Sequence, residues 1–432
     1  MADRGGTAGV SEDVAVYLAA GRRDLLAGHV HPSVRDGESI SFSYAGGYLA
    51  SPDAYPLDPA LPLVTGALQA PAGRATFGAF ADCSPDYWGR MLTWRAEQAR
   101  AKAAGTDPRP IGELDVLLGV RDDLRQGALR FARGEPGPFV AAGDSGVPGL
   151  ADLPALLESA DRAVRGEADG DDLRRLVPAG SSIGGWRPKV HFLDAAGQAA
   201  IAKFPKPDSD TWNVMAWEKV ALDLARDAGV RVCDSQLIRV GERHVLIVSR
   251  FDRHDGARTG YVSARTMLQA GQSDRRSYLE IAAVIEEQSP AVTADLRELW
   301  RRIAFSVLIS NIDDHLRNHG FLRQPAGGWR LSPAFDINPD ARPGPKHLST
   351  AIDATSTLAS VETLMSVTDH FRLDAGAALG ILGEVTRATG RWREVATSCG
   401  LQQGDLDAME PAFEHAGSER ARALTSGRPA GS

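Results

Sequence analysis

The chain has 432 residues, 43% of them hydrophobic and 24% charged, with 48 Lys and Arg against 56 Asp and Glu for a net charge of −8. That is chain enough for two or three domains, and the acidic balance argues against a broad nucleic-acid surface while leaving room for a local basic patch. Cys83, Cys233 and Cys399 are too scattered for a disulfide framework or a cysteine zinc site, Met1–Val10 lacks a signal-peptide apolar core, and no apolar run could span a membrane, so a soluble cytoplasmic protein is expected.

Residues 1–12 read as a disordered lead-in. Residues 13–150 read as a small α/β subdomain and a linker. Val14–Leu18 and Ile40–Tyr44 are predicted strands, with helices over 84–103, opened by Ser84 and Pro85, and over 111–120. The Gly- and Pro-containing stretch 133–149 is the linker candidate. Residues 151–255 begin with a predicted helix over 153–165 and a charged break at 166–172. A glycine-rich loop, Gly180 to Lys189, then feeds a strand Lys189–Leu193, a turn Asp194–Gly197 and a strand Ala199–Phe204. A helix over 212–228 and a strand pair, Val230–Val240 and His244–Val248, complete this region. Residues 256–424 read as mainly helical, over 277–288, 291–311, 360–370, 374–388 and 405–415, with two short strands at 319–323 and 328–332; 425–432 is a tail.

Chemistry concentrates in Asn311-Ile-Asp-Asp-His-Leu-Arg-Asn-His-Gly320, directly after an apolar helix. Asp313 and Asn318 have the Asp-x-x-x-x-Asn spacing by which kinases place a base and a magnesium ligand. A hydroxyl nucleophile needs an acceptor for its proton, and a hard cation on the phosphate oxygens needs oxygen ligands. Asp336, at the end of Leu331-Ser-Pro-Ala-Phe-Asp336, can return towards Asp313 across the intervening hairpin as a second magnesium ligand. Gly184 and Gly185 allow the backbone approach that cradles phosphate, although the loop is not the Gly-x-x-x-x-Gly-Lys-Ser/Thr type. Lys203, flanked by apolar residues on a strand, needs a partner, and Glu218 on the next helix is the candidate. Ser249 and Phe251 follow an apolar strand where a hinge would offer backbone groups to adenine.

Each feature alone has a plain structural alternative: a capped helix end, an Asx turn, a flexible connector, an edge-strand lysine facing water. Their order is that of a kinase. It predicts a two-lobed, protein-kinase-like α+β fold, with a β-rich N-lobe and a mainly helical C-lobe, preceded by the small α/β subdomain, and ATP with Mg2+ as cofactors.

Ser181-Ser-Ile-Gly-Gly-Trp-Arg-Pro-Lys189, Ser249-Arg-Phe-Asp-Arg253, Asn311 to Asn318 and Leu331 to Asp336 resemble motifs of the HipA family, the kinase toxins of bacterial type II toxin–antitoxin systems. The resemblance covers 13–420, with a looser match at Phe80–Arg90. It implies ATP-dependent serine/threonine phosphorylation of a translation-related protein, such as an aminoacyl-tRNA synthetase, that halts growth. It also implies a HipB-like DNA-binding antitoxin, since no helix-turn-helix is evident in this chain. By motif match, Asp313 is the base, Asn318 and Asp336 bind magnesium, Lys203 binds phosphate, and Ser182 is the autophosphorylated loop serine, with Ser181 the alternative. A phosphoserine there would add nearly two negative charges beside the phosphates. Trp186 is bulkier than the family loop leads one to expect.

Two other readings stand beside this one. A metal-dependent hydrolase would use His315 and His319, four residues apart, but lacks the glutamate of His-Glu-x-x-His. A non-catalytic, pseudokinase-like binding protein would be expected to have lost some of Lys203, Asp313, Asn318 and Asp336, all of which are present.

Overall fold

The computed structural model describes residues 13–426, apart from 22, 33–38, 141–145, 181–185 and 272. The chain opens with an antiparallel sheet of order β4-β3-β2-β1-β5, formed by β1 (Val14–Ala20), β2 (Arg23–Pro32), β3 (Ile40–Tyr44), β4 (Ala67–Gln69) and β5 (Leu129–Arg133). In β3 the period-two pattern is plain: Ile40, Phe42 and Tyr44 are buried and the serines between them are half-buried. Strand β2 has no such alternation in sequence, and its register with β1 slips between Val16 and Tyr17, the mark of a bulge. Gly28 is required there, because a Cβ would lie 2.1 Å from the Ser43 carbonyl oxygen and 2.6 Å from the Phe42 ring.

Helix α1 (Tyr87–Ala104) starts later than Ser84 and Pro85 suggest. The Ser84 hydroxyl donates to the Phe80 carbonyl instead, and Asp86 caps the helix by accepting from the Gly89 N–H at 3.3 Å. The next predicted helix is shorter than 111–120, spanning Glu113–Leu118.

Helix α2 (Leu153–Arg165) spans the predicted residues, and the charged break expected at 166–172 holds at 166–169, but its last three residues open a further helix, α3 (Gly170–Ala179). The acids that look solvated in sequence have structural work: Asp169 caps α3 through the Asp171 and Asp172 N–H groups, and the buried Asp172 accepts from Ser159 and Arg162. A second antiparallel sheet follows, of order β6-β7-β9-β8, from β6 (Lys189–Leu193), β7 (Ala199–Lys203), β8 (Ser235–Val240) and β9 (Arg243–Ser249). Its alternation sorts side chains to two faces. Val190, Phe192, Ala200, Ala202, Val245 and Ile247 pack against α1, α2 and α3, while Leu246 and Val248 join the larger core that contains α4 (Val214–Asp227). Strand β8 begins at Ser235, not at Val230, because Val230 and Cys233 turn into the larger core first.

The link after β9 is tied to the first subdomain by a buried ion network. Arg250 binds Asp252 through Nε and Nη2 at 2.9 and 2.6 Å, and reaches the Leu124 and Arg125 carbonyls at 2.6 and 3.0 Å. Asp252 also accepts from the Gly127 N–H at 2.7 Å and from Arg253 at 2.8 Å. Burial opposes the Asp252 carboxylate, but Arg250 and Arg253 outweigh it and hold its pKa well below the ordinary range. Removing one partner strands a buried charge, so Asp252→Ala is expected to cost about 3–5 kcal/mol in urea denaturation.

The remaining chain is mainly helical around α5 (Ala264–Met267), α6 (Tyr278–Gln288), α7 (Val292–Leu308) and α8 (Ala375–Thr389), with Trp217, Trp300, Trp392 and Phe413 in the shared core. Helices at Trp392–Ser398 and Ala416–Thr425 were not expected from the sequence. A small sheet joins Tyr261–Ser263, Gly320–Arg323 and Trp329–Leu331. Among the described residues no helix is long and apolar enough to cross a membrane.

Candidate active site

Lys203 and Ile201 point from β7 to the face opposite Ala200 and Ala202, into a cleft between the second sheet and the helical part. The Lys203 ammonium donates to Glu218 Oε1 at 2.5 Å and to Asp336 Oδ1 at 2.8 Å. Glu218 sits there because Asn213 caps α4, its side chain accepting from the Ala216 N–H, and sets the phase of the helix. Burial disfavours the ammonium, yet Asp336 and Glu218 together outweigh it and raise the Lys203 pKa. The same lysine overcomes burial at Asp336 and holds that carboxyl low; at Glu218 burial prevails and the pKa is raised. Asp336 takes a left-handed φ of 58°, a cost for a non-glycine residue that its contacts with Lys203 offset.

The polar segment after α7 is shaped by the way the helix ends. The helix stops at Leu308, short of the predicted 311, because Ser310 adopts a φ of 55°. Its closure, Asn311 N–H to Ser306 oxygen at 2.8 Å and Ser310 N–H to Val307 oxygen at 3.4 Å, has the two-bond pattern that terminates helices. The two adjacent acids then part. Asp314 turns inward, where it accepts from the Tyr278 hydroxyl at 2.6 Å and lies 3.1 Å from His319 Nε2. Asp313 turns outward to the mouth of the cleft. Its pKa is raised, by partial burial first and then by Asp336 and Asp314, with His315 opposing. Asn318 is buried behind it, donating from Nδ2 to the Asp313 carbonyl at 3.1 Å. No hydrogen bond links Asn318 to Asp336.

The cleft has two parts that meet at Asp336. One is a largely apolar slot lined by Ile201, Leu222, Val248, Phe251 and Phe335, with Lys203 and Glu218 at its polar end. The other is a polar mouth with Arg187, Asp313, Asn338 and Arg342. Ser249 and Phe251 both border the slot, but the Ser249 N–H is taken by the Asp234 carbonyl at 2.9 Å. Among the described residues the Phe251 N–H has no hydrogen-bond acceptor, so it is the better-placed donor of the two. Gly184, Gly185, Ser182 and Ser181 lie outside the described residues.

Two contributors were not singled out from the sequence, and a third, His315, was named there for the hydrolase reading. Lys189 pairs directly with Lys203 across β6 and β7, and its charge lowers the Asp336 pKa; it is buried and balanced by Asp86 at 3.4 Å. Gln126, from the first subdomain, borders the slot. His315 lies near enough to Asp313, Asp314 and Asp336 to favour the charged form of each. Of the first two, only Lys189 had a local signal, at the exit of the glycine loop. The hydrolase arrangement does not form: residues 316–318 are a single 3-10 turn, and among the described residues no three His, Cys, Asp or Glu side chains group to hold a metal.

Two sheets, a lysine bridged to a helix glutamate and a cleft facing a helical lobe define a two-lobed, protein-kinase-like α+β protein preceded by a smaller subdomain. Residues 181–393 match the HipA-like C-terminal domain family. The chain is 25% identical over 223 residues to a Haemophilus influenzae protein named "Putative kinase", a match covering 46% of this chain and 64% of that protein. It is 28% identical over 201 residues to "Putative kinase Y4dM" of Sinorhizobium fredii, covering 43% of this chain and 48% of that one. The chain thus spans under two thirds of one curated relative and about half of the other. Its fold is shared along nearly its whole length with a chain in the Shewanella oneidensis toxin–antitoxin complex of HipA, HipB and operator DNA, with a TM-score of 0.64, 16% identity and 96% coverage of each chain.

Proposed function

We propose that this chain is an ATP-dependent serine/threonine-protein kinase and the toxin of a HipA-type toxin–antitoxin module. The observation that carries the reading is the bridge from Lys203 to Glu218 and Asp336, with Asp313 outward at the mouth of the same cleft. Lys203 holds the nucleotide phosphates, Phe251 meets the adenine edge, and Asp313 takes the proton of the substrate hydroxyl. Asn318 and Asp336 suit magnesium: both offer hard oxygen donors, and a cation shared with phosphates needs only one or two protein ligands. Bound there, it neutralises charge on the phosphoryl oxygens.

Autophosphorylation of Ser182, with Ser181 the alternative, would switch the loop off by charge. The Shewanella complex contains HipB and operator DNA, and a HipB-like antitoxin is the expected partner of this chain as well. A translation-related protein, with an aminoacyl-tRNA synthetase as the leading class, is the proposed target.

Phosphoproteomes of cells expressing the wild type or Asp313→Ala should differ at discrete Ser or Thr sites; identical phosphoproteomes would sink the reading. In vitro, Mg-ATP at 100 times its Kd should stabilise the chain by about 2.7 kcal/mol, seen as a rise in Tm with ligand concentration.

A further inference from the structure

We propose that Arg74, Arg265 and Arg317 form an acid-selecting site beside the catalytic loop, which recognises an acidic residue of the protein substrate near the hydroxyl to be phosphorylated. This rests on the kinase reading and names the substrate class it would take.

Arg317 stands next to Asn318 and four residues from Asp313. Its side chain is exposed and has no hydrogen bond or ion pair with any described residue. Helix α5 is held against the same turn by the Ala264 N–H on the His319 carbonyl at 2.7 Å. Arg265, on α5, is partly buried and donates from Nε to the Ala270 carbonyl at 3.2 Å. Arg74, from the first subdomain, donates to the neighbouring Gln269 carbonyl. Two guanidinium groups are thus moored on successive carbonyl oxygens, and neither has an acid within ion-pair distance among the described residues. Close packing of Gly78 on Thr266, where a Cβ would come within 2.6 Å of the hydroxyl, keeps the two segments together.

Arg265 feels both other cations: burial and then the charges of Arg317 and Arg74 depress its pKa, against the opposing charges of Asp82 and Asp274. The nearby acids are otherwise engaged. Asp82 accepts from the Ser263 N–H and hydroxyl at 2.7 and 2.8 Å, and Asp274 accepts from the Gly271 N–H at 2.8 Å and from Arg276 at 3.3 Å. Elsewhere in this acidic chain, clustered arginines are paired: Arg231 and Arg330 share Asp295, and Arg302 has Glu298. Like charges held together with no acid in direct ion-pair contact are only partly offset by the more distant Asp58, Asp82 and Asp274, and an arriving anion is favoured there. Arg317 is exposed on the same loop as Asp313, four residues away, and the proposal places the substrate carboxylate at Arg317 while the acceptor hydroxyl is at Asp313.

The test uses the full chain, Mg-ATP and serine-containing peptides carrying Asp, Glu or Lys at fixed flanking positions. The wild type is expected to show a higher kcat/KM for acidic peptides at one or two positions. Arg74→Glu/Arg265→Glu should lower the acidic-to-basic ratio by about tenfold, and Arg74→Lys/Arg265→Lys should keep it. A flat wild-type ratio, or a ratio that survives charge reversal, overturns the proposal while leaving the kinase reading intact. No transfer to any peptide together with no Mg-ATP thermal shift overturns both; no transfer with a normal shift overturns this one. A flat ratio with a single-stranded RNA oligonucleotide bound more weakly by the charge-reversed variant assigns the patch to a polynucleotide and likewise overturns it.

Discussion

On the proposed kinase reading, Lys203→Ala is expected to lower phosphoryl transfer by about 10²- to 10³-fold, because it removes the cation assigned to the nucleotide phosphates. It should also destabilise the chain by about 3–5 kcal/mol, because Glu218 and Asp336 would be left beside each other without their shared counter-charge. The stability loss has a pH signature with a definite sign. In the wild type the depressed Asp336 carboxyl contributes stability above the ordinary carboxylate pKa, and that contribution is lost as pH falls from about 4 through the lower folded value. The raised Lys203 contributes below the ordinary lysine pKa, and its part is lost only as pH rises beyond about 10. The gap between wild type and Lys203→Ala should therefore be widest between these limits and shrink in acid. Urea denaturation across a pH series measures it. A gap that stayed constant down to pH 3 would mean that the bridge is not the source of the lost stability. Lys203→Met, which keeps the stem of the side chain, separates lost packing from lost charge.

Asp313→Asn should behave in the opposite way. Phosphoryl transfer is expected to fall by about 10²- to 10⁴-fold if the proposed proton acceptor is lost, while stability stays within about 0.5 kcal/mol of wild type. The reason is exposure: Asp313 stands at the mouth of the cleft, and its neighbours Asp336 and Asp314 repel it. Asp314→Asn, one residue away, should instead weaken folding, since that carboxylate holds Tyr278 and His319 inside the protein. Single-turnover transfer and urea denaturation on the two variants separate base from brace, and the Mg-ATP thermal shift should survive in Asp313→Asn. The wild-type rate should rise with pH as Asp313 ionises, at a pH above that of an unperturbed aspartate.

How far this was legible beforehand depends on how far each interaction reaches along the chain. The hairpin Lys189–Lys203 and the α4 helix could be read directly, since a period of two, a four-residue turn and a helical face are written in neighbouring residues. Helix α3 was missed because Asp169, Asp171 and Asp172 look like a solvated break until Ser159 and Arg162, from another helix, meet Asp172. Strand β2 was missed because a bulge breaks its alternation. The Asp-x-x-x-x-Asn interval pointed to Asp313 and Asn318, but not to the division of labour between Asp313 and Asp314, which depends on which of them α6 covers.

The local order of residues, then, was enough for the strand lysine, the helix glutamate, the polar loop after an apolar helix and the later aspartate, and with them the kinase-like order of parts. Burial and charge pairing are set by residues distant along the chain, in several cases a hundred or more positions away. They alone decided that Asp86 balances Lys189, that Arg250 and Asp252 lock onto residues 124–127, that Asp336 meets Lys203 from 133 positions away, and that Arg317 and Arg265 stand without an acid beside the catalytic loop. Neighbouring residues set backbone periodicity, whereas the energy of a charge depends on which distant groups the fold brings into contact with it.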